Sequence, residues 1–117
     1  MALVRRTDEV AAVDISDGTD VVGATKQLLI GPGDGAPTFA VRLFTLAPGG
    51  HTPDHTHPFE HGVIVLEGQG ELVTQEQVYS LSPNTAAHVS PDEQHRFRNT
   101  GQGPFRFLCV VPRHVEQ

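Results

Sequence analysis

Three histidines fall within seven residues in His55-Thr56-His57-Pro58-Phe59-Glu60-His61, and a fourth, His95, lies far downstream. Imidazole is the commonest protein ligand for a transition metal. Two histidines one residue apart project to the same side only where the chain turns or kinks between them, so His55 and His57 belong to a loop. The run Val63-Ile64-Val65-Leu66, closed by Glu67-Gly68-Gln69-Gly70, predicts a strand that ends in a tight turn. A strand starting near Glu60 puts His61, Val63 and Val65 on one face and Glu60 on the other. Loop and strand together present one face of a metal site.

The elements that must carry these rings are short. Lys26 to Ile30 reads as a strand stopped by Gly31-Pro32-Gly33-Asp34-Gly35, and Thr38 to Leu46 as a second, ended by Ala47-Pro48-Gly49-Gly50. Glu71–Thr74 and Val78–Leu81 predict a hairpin around Gln75-Glu76-Gln77. Ala86 to Val89, Gln94 to Arg98 and Phe105 to Val111 supply the last strands, parted by proline, asparagine and glycine turns. Val10 to Val13 predicts an edge strand within a peripheral segment, residues 1–20, that either stays with its own chain or is exchanged with a partner subunit. Nowhere do apolar residues hold a 3.6-residue period over three turns. Short strands cut by glycine and proline predict an all-β barrel or sandwich.

Size and charge bound the function. A chain of 117 residues makes one domain, small enough that a homodimer would help bury its surface. A net charge of −6 with no basic stretch argues against nucleic acid. No apolar run approaches the roughly 20 residues needed to span a bilayer. The start, Met-Ala-Leu-Val, soon turns acidic and has no apolar signal core. One cysteine rules out an internal disulfide and fits a reducing cytoplasm.

The spacing of Gly49, His55-Thr56-His57, His61 and Gly68 resembles the first motif of the cupins, and Pro91, His95 and Asn99 fit the second. The two motifs span about half the chain, and the resemblance implies a double-stranded β-helix, the jelly-roll barrel, over nearly all of it. His61 stands where the usual ligand is acidic, with Glu60 one place earlier; opposite strand faces keep the two from sharing that role. The resemblance is closest to the small single-domain, RmlC-like cupins that bind manganese through four histidines. It implies His55, His57, His61 and His95 as ligands of one divalent ion. The second motif lacks its usual glycine, and Glu93 lies between Pro91 and His95.

Four neutral imidazoles leave the full charge of a divalent ion uncompensated, and in an octahedral ion they leave two positions open. Such a site can take dioxygen or chelate an anionic substrate such as an enolate. Imidazole suits zinc, copper, iron and nickel, and raw affinity favours copper over manganese. The resemblance and cellular supply rank manganese first and iron second.

Alternation from His95 puts Phe97 and Asn99 on the ligand's face, and Phe105, Phe107 and Cys109 share a face opposite Arg106. Phe97, Phe107 and Cys109 either line an apolar cavity over the metal or pack as ordinary core. Cys109 reads as a buried inert thiol rather than a nucleophile. Arg42, on the same face as Phe44 and Leu46, binds an anionic substrate, pairs with a carboxylate, or sits on an outer face. His51, His88 and His114 read as solvent-exposed. The first function to follow is a metal-dependent oxidoreductase of dioxygenase type, cleaving a small unsaturated or enolisable substrate with O2. A metal-assisted isomerase of a sugar or keto acid and a non-catalytic small-molecule sensor are the alternatives.

Overall fold

Alternating apolar and polar side chains fold residues 2–117, the residues described by the computed structural model, into nine antiparallel strands. They are β1 (Val13–Asp14), β2 (Val22–Ile30), β3 (Phe39–His51), β4 (His61–Glu67), β5 (Gly70–Thr74), β6 (Val78–Leu81), β7 (Ala86–Val89), β8 (His95–Asn99) and β9 (Phe105–Pro112). One path of the sheet runs β6-β5-β8-β3-β9-β4-β7, with β2 on β3 and β1 on β2. Strands distant in sequence therefore lie side by side, and the curled sheet closes into the all-β jelly-roll barrel that the glycine- and proline-cut runs predict.

Register decides what points inward. Arg42 pairs with Cys109, Phe44 with Phe107 and Leu46 with Phe105 across β3 and β9; Val63 pairs with Cys109 and Val65 with Phe107 across β4 and β9. Cross-strand partners share a face, so these residues all face the barrel interior. Leu46, Val65, Val89 and Phe105 are wholly buried there. The Phe44, Phe107 and Phe97 rings pack in succession with centroids 5.6 and 4.8 Å apart, distances at which aromatic pairs attract beyond their buried area.

β3 differs from its prediction. Instead of stopping at Leu46 it runs through Ala47-Pro48-Gly49-Gly50 to His51. Gly49, at φ 80, gives a bend that other residues rarely adopt, and a register shift between Val22 and Ala24 in β2 absorbs it. The longer strand carries Arg42 at one end and meets β8 at the other, pairing His51 with Arg98 beside the histidine loop. β2 in turn starts at Val22, earlier than the predicted Lys26.

The predicted edge strand over residues 10–13 contracts to Val13–Asp14, preceded by a 3-10 turn at Thr7–Glu9. Ala11, Ala12 and Val13 are all exposed, so the apolar run has no buried face to hold it as a longer strand. The segment docks on its own chain. Arg5 donates to the Leu29 carbonyl and to Asp34, and Gln27 donates to the carbonyls of Thr7 and Val10. Among the described residues no helix is long and apolar enough to cross a membrane.

Candidate metal centre and its cavity

β4 opens with His61 facing inward, 6% exposed, while Glu60 turns outward and takes a hydrogen bond from His88 at 2.8 Å. The loop before it crosses the start of β8. His55 and His95 exchange both backbone hydrogen bonds, at 3.2 and 3.1 Å, which brings the two motifs together. The Asp92 amide donates to the His57 carbonyl at 2.8 Å and fastens the same loop to the turn before β8. Asp92 adopts the left-handed conformation, φ 65, so this turn forms without the glycine usual in the second motif. Glu93 closes it by accepting from the Ser90 amide.

The rings converge. His55, His57 and His95 each place a nitrogen within 4.8 Å of the others, close enough to hold a metal ion. His61, outside that group of three, approaches from the buried side with its Nε2 3.1 Å from Nε2 of His95. Tautomers are set from outside the cluster. His57 Nδ1–H donates to the Phe59 carbonyl and His95 Nδ1–H to the Glu93 carbonyl, both at 2.7 Å. Each leaves an Nε2 lone pair turned inward, the arrangement in which a distal hydrogen bond orients a metal-binding imidazole. Phe59 stacks flat on His57, centroids 3.8 Å apart.

Burial and mutual proximity favour the neutral form of His55, His61 and His95. Burial first, then the neighbouring His95 and His57, push His61 down to about 3. Burial also lowers His95, partly opposed by its bond to the Glu93 carbonyl, and lowers His55, with His95 and His57 adding to the effect. Neutral imidazole is the form that ligates. Ligands side by side on an ion, at the usual metal–imidazole distance of roughly 2.1 Å, have nitrogens about 3.0 Å apart. The His61–His95 spacing of 3.1 Å suits such a pair, and the donor set fits a divalent transition metal.

The cluster opens into a cavity of about 270 Å³. Phe97, Phe107 and Cys109 line it, and so does Arg42, although Phe97 and Phe107 are at the same time nearly fully buried core. Arg42 faces inward. Its guanidinium lies over the Phe44 ring at 4.9 Å, reaches Glu116 at 3.3 Å and donates to Cys109 Sγ at 3.1 Å. Cys109 Sγ is also 3.1 Å from His61 Nδ1, and burial raises its pKa, so the neutral thiol bridges Arg42 to the ring. Asn99 shares the ligand's face but supports structure. Its side chain donates to the Leu46 and Gly103 carbonyls and accepts from the Gly101 amide.

Sequence reasoning missed Lys26, Phe44, Phe59 and Thr52 in the lining. Alternation could have found Lys26, which pairs with Phe44 and so faces inward; the carboxylate it meets, Glu116, had no such signal. His88 and His114 are exposed as expected. His51 is half-buried in β3, its ring bonded to the Thr52 carbonyl, because β3 runs past the predicted end.

A jelly-roll barrel with histidines gathered at one end of its cavity describes the cupins. Residues 42–111 match the cupin domain family, and the chain belongs to it. The polyketide cyclase RemF from Streptomyces resistomycificus superposes with a TM-score of 0.87 at 32% identity, covering 96% of this chain and 80% of that one. L-ectoine synthase of Nocardia farcinica is 32% identical over 114 residues, 92% of this chain and 80% of the relative. The 1-methylthio-D-xylulose 5-phosphate methylsulfurylase of Rhodospirillum rubrum is 32% identical over 87 residues, 74% of this chain, but the chain spans only 54% of that relative.

Proposed function

We propose that the protein is a metal-dependent enzyme acting on a small enolisable substrate held through oxygen. His55, His57, His61 and His95 hold one divalent ion, with manganese ranked first and iron second; copper, nickel and zinc also suit imidazole. The observation that carries this reading is the convergence of imidazoles, His57 and His95 with their Nδ1 protons held by carbonyls, on the floor of an aromatic-walled cavity. When bound, the ion supplies Lewis-acid polarisation of a substrate oxygen.

The chain's own residues do the rest. The Phe59 and Glu93 carbonyls hold two Nδ1 protons away from the centre, so those rings point their lone pairs inward. Phe97 and Phe107 give the cavity an apolar wall beside the histidines, which lowers the local polarity and strengthens charge interactions there. Arg42 adds positive charge on one wall, suiting an anionic or enolising guest. The breadth of similarity to the polyketide cyclase, whose name states ring closure of a polyketide, supports a β-dicarbonyl as the substrate class.

A second reading is a dioxygenase that cleaves such a substrate with O2, for which Phe97 and Phe107 give the histidines an apolar wall. Metal analysis of the purified protein tests the shared premise: about one divalent ion per chain is expected, and none would overturn both readings. A β-diketone incubated with metal-loaded protein separates them. Rearrangement or ring closure under nitrogen supports the first, stoichiometric oxygen uptake supports the dioxygenase, and binding without turnover in every condition points to a sensor.

We also place the protein in the cytoplasm as a homodimer without nucleic-acid or membrane partners. The single thiol, Cys109, is free, the net charge is −6, and the outer face of β3, β9 and β4 exposes Phe39, Val110, Ile64 and Leu66.

A further inference from the structure

Two cations face the cavity and share one carboxylate. Lys26 Nζ bonds both oxygens of Glu116, at 2.9 and 3.0 Å, and Arg42 Nη1 reaches the same carboxylate at 3.3 Å. Glu116 comes from the 3-10 turn Arg113–Glu116, whose first amide is fastened to the Thr38 carbonyl. The side chains of Arg42 and Glu116 are 13% and 9% exposed, so this is no solvent-screened surface pair. One positive charge is left over in the group. Arg42 is poorly used as well: its second nitrogen meets only the Cys109 sulfur, a weak acceptor, and its buried Nε has no partner. A guanidinium is built to grip a carboxylate with two parallel bonds, and here it makes one long one. Inward cations are costly where apolar residues would serve the core, so neutralising Glu116 is a poor reason to keep two of them.

We propose that Lys26 and Arg42 form an anion subsite of the cavity, in which Glu116 is an internal stand-in for the carboxylate of the ligand. The ligand class is a small carboxylate with an aromatic or apolar body. Its acid group takes the place of Glu116, and its body lies among Phe44, Phe59, Phe97 and Phe107 toward the histidines. The inference rests on the reading of this cavity as the substrate site, and needs no metal for its test.

Phenylacetate and its neutral counterpart phenylacetamide are titrated calorimetrically into chelator-treated, metal-free protein. Phenylacetate binds at least roughly tenfold more tightly, as expected for charge-assisted bonds. Arg42→Leu and Lys26→Met each cut that preference several-fold, and Glu116→Gln strengthens phenylacetate binding by removing the competitor. Melting gives an independent reading. Phenylacetate raises the melting temperature of Glu116→Gln more than that of the unsubstituted protein, whereas a purely structural Glu116 gives equal shifts. Equal binding of the two probes, or weaker phenylacetate binding by Glu116→Gln, overturns the subsite. A carboxylate preference that appears only after metal is restored also overturns it, while leaving the metal reading intact. Preference in a protein that takes up no metal does the reverse.

Discussion

At the scale of single residues, Glu60 just before β4 turns outward and His61 at its start turns inward, and substitution should separate their roles. His61→Ala is expected to lose bound metal and Glu60→Ala to keep it, measured as metal per chain after gel filtration. Cys109 touches the ring from behind. Cys109→Ala should weaken metal binding by about ten- to a hundredfold, the usual cost of losing a group that orients a ligand, with Cys109→Ser closer to the original. A competing chelator reads both. Acid should act through the same rings. His61 falls from the ordinary 6.5 to about 3, and His55 and His95 are lowered as well, so below about 6.5 the unfolded chain binds more protons than the fold. Stability of the metal-free protein is therefore fullest above that pH and drains away as the pH falls toward about 3. Melting temperatures across this range should show the decline, and His61→Gln should flatten it.

At the scale of elements, turns set the spacing that brings the two motifs together. Gly68, at φ 87, joins β4 to β5, and a Cβ there would collide with the Pro104 carbonyl. Gly68→Ala should cost at least about 1–3 kcal/mol in denaturant unfolding, because the strained backbone and the clash add. Asn99 ties the turn between β8 and β9 to β3 through three hydrogen bonds, and Asn99→Ala leaves buried partners unsatisfied. The hairpin and the last three strands were legible from alternation and turn residues alone. The far end of β3 was not: Pro48 and Gly49 read as a stop, yet a bend with a compensating register shift in β2 lets pairing resume at His51. A local stop signal cannot foresee a partner strand that bends with it.

For the whole molecule, the outer face of β3, β9 and β4 leaves Phe39, Ile64, Leu66 and Val110 between 42% and 47% exposed. A second copy covering this face would appear in light scattering as twice the 12.6 kDa chain mass. Ile64→Glu with Val110→Glu should return the mass to that of one chain, whereas a monomer from the start would remove the homodimer from the proposal.

The amino-acid order by itself determined the strand-rich class and the side of each strand on which His61, Phe97, Phe107 and Cys109 lie, because alternation is a property of one strand and its neighbours in sequence. The resemblance of its two motifs to those of the cupins marked the four histidines as a set. Only the tertiary structure decided that Lys26 and Arg42 share Glu116 and that the Cys109 thiol backs His61. Those contacts join segments up to 90 residues apart, and closure of the barrel, which no local pattern encodes, puts them within reach.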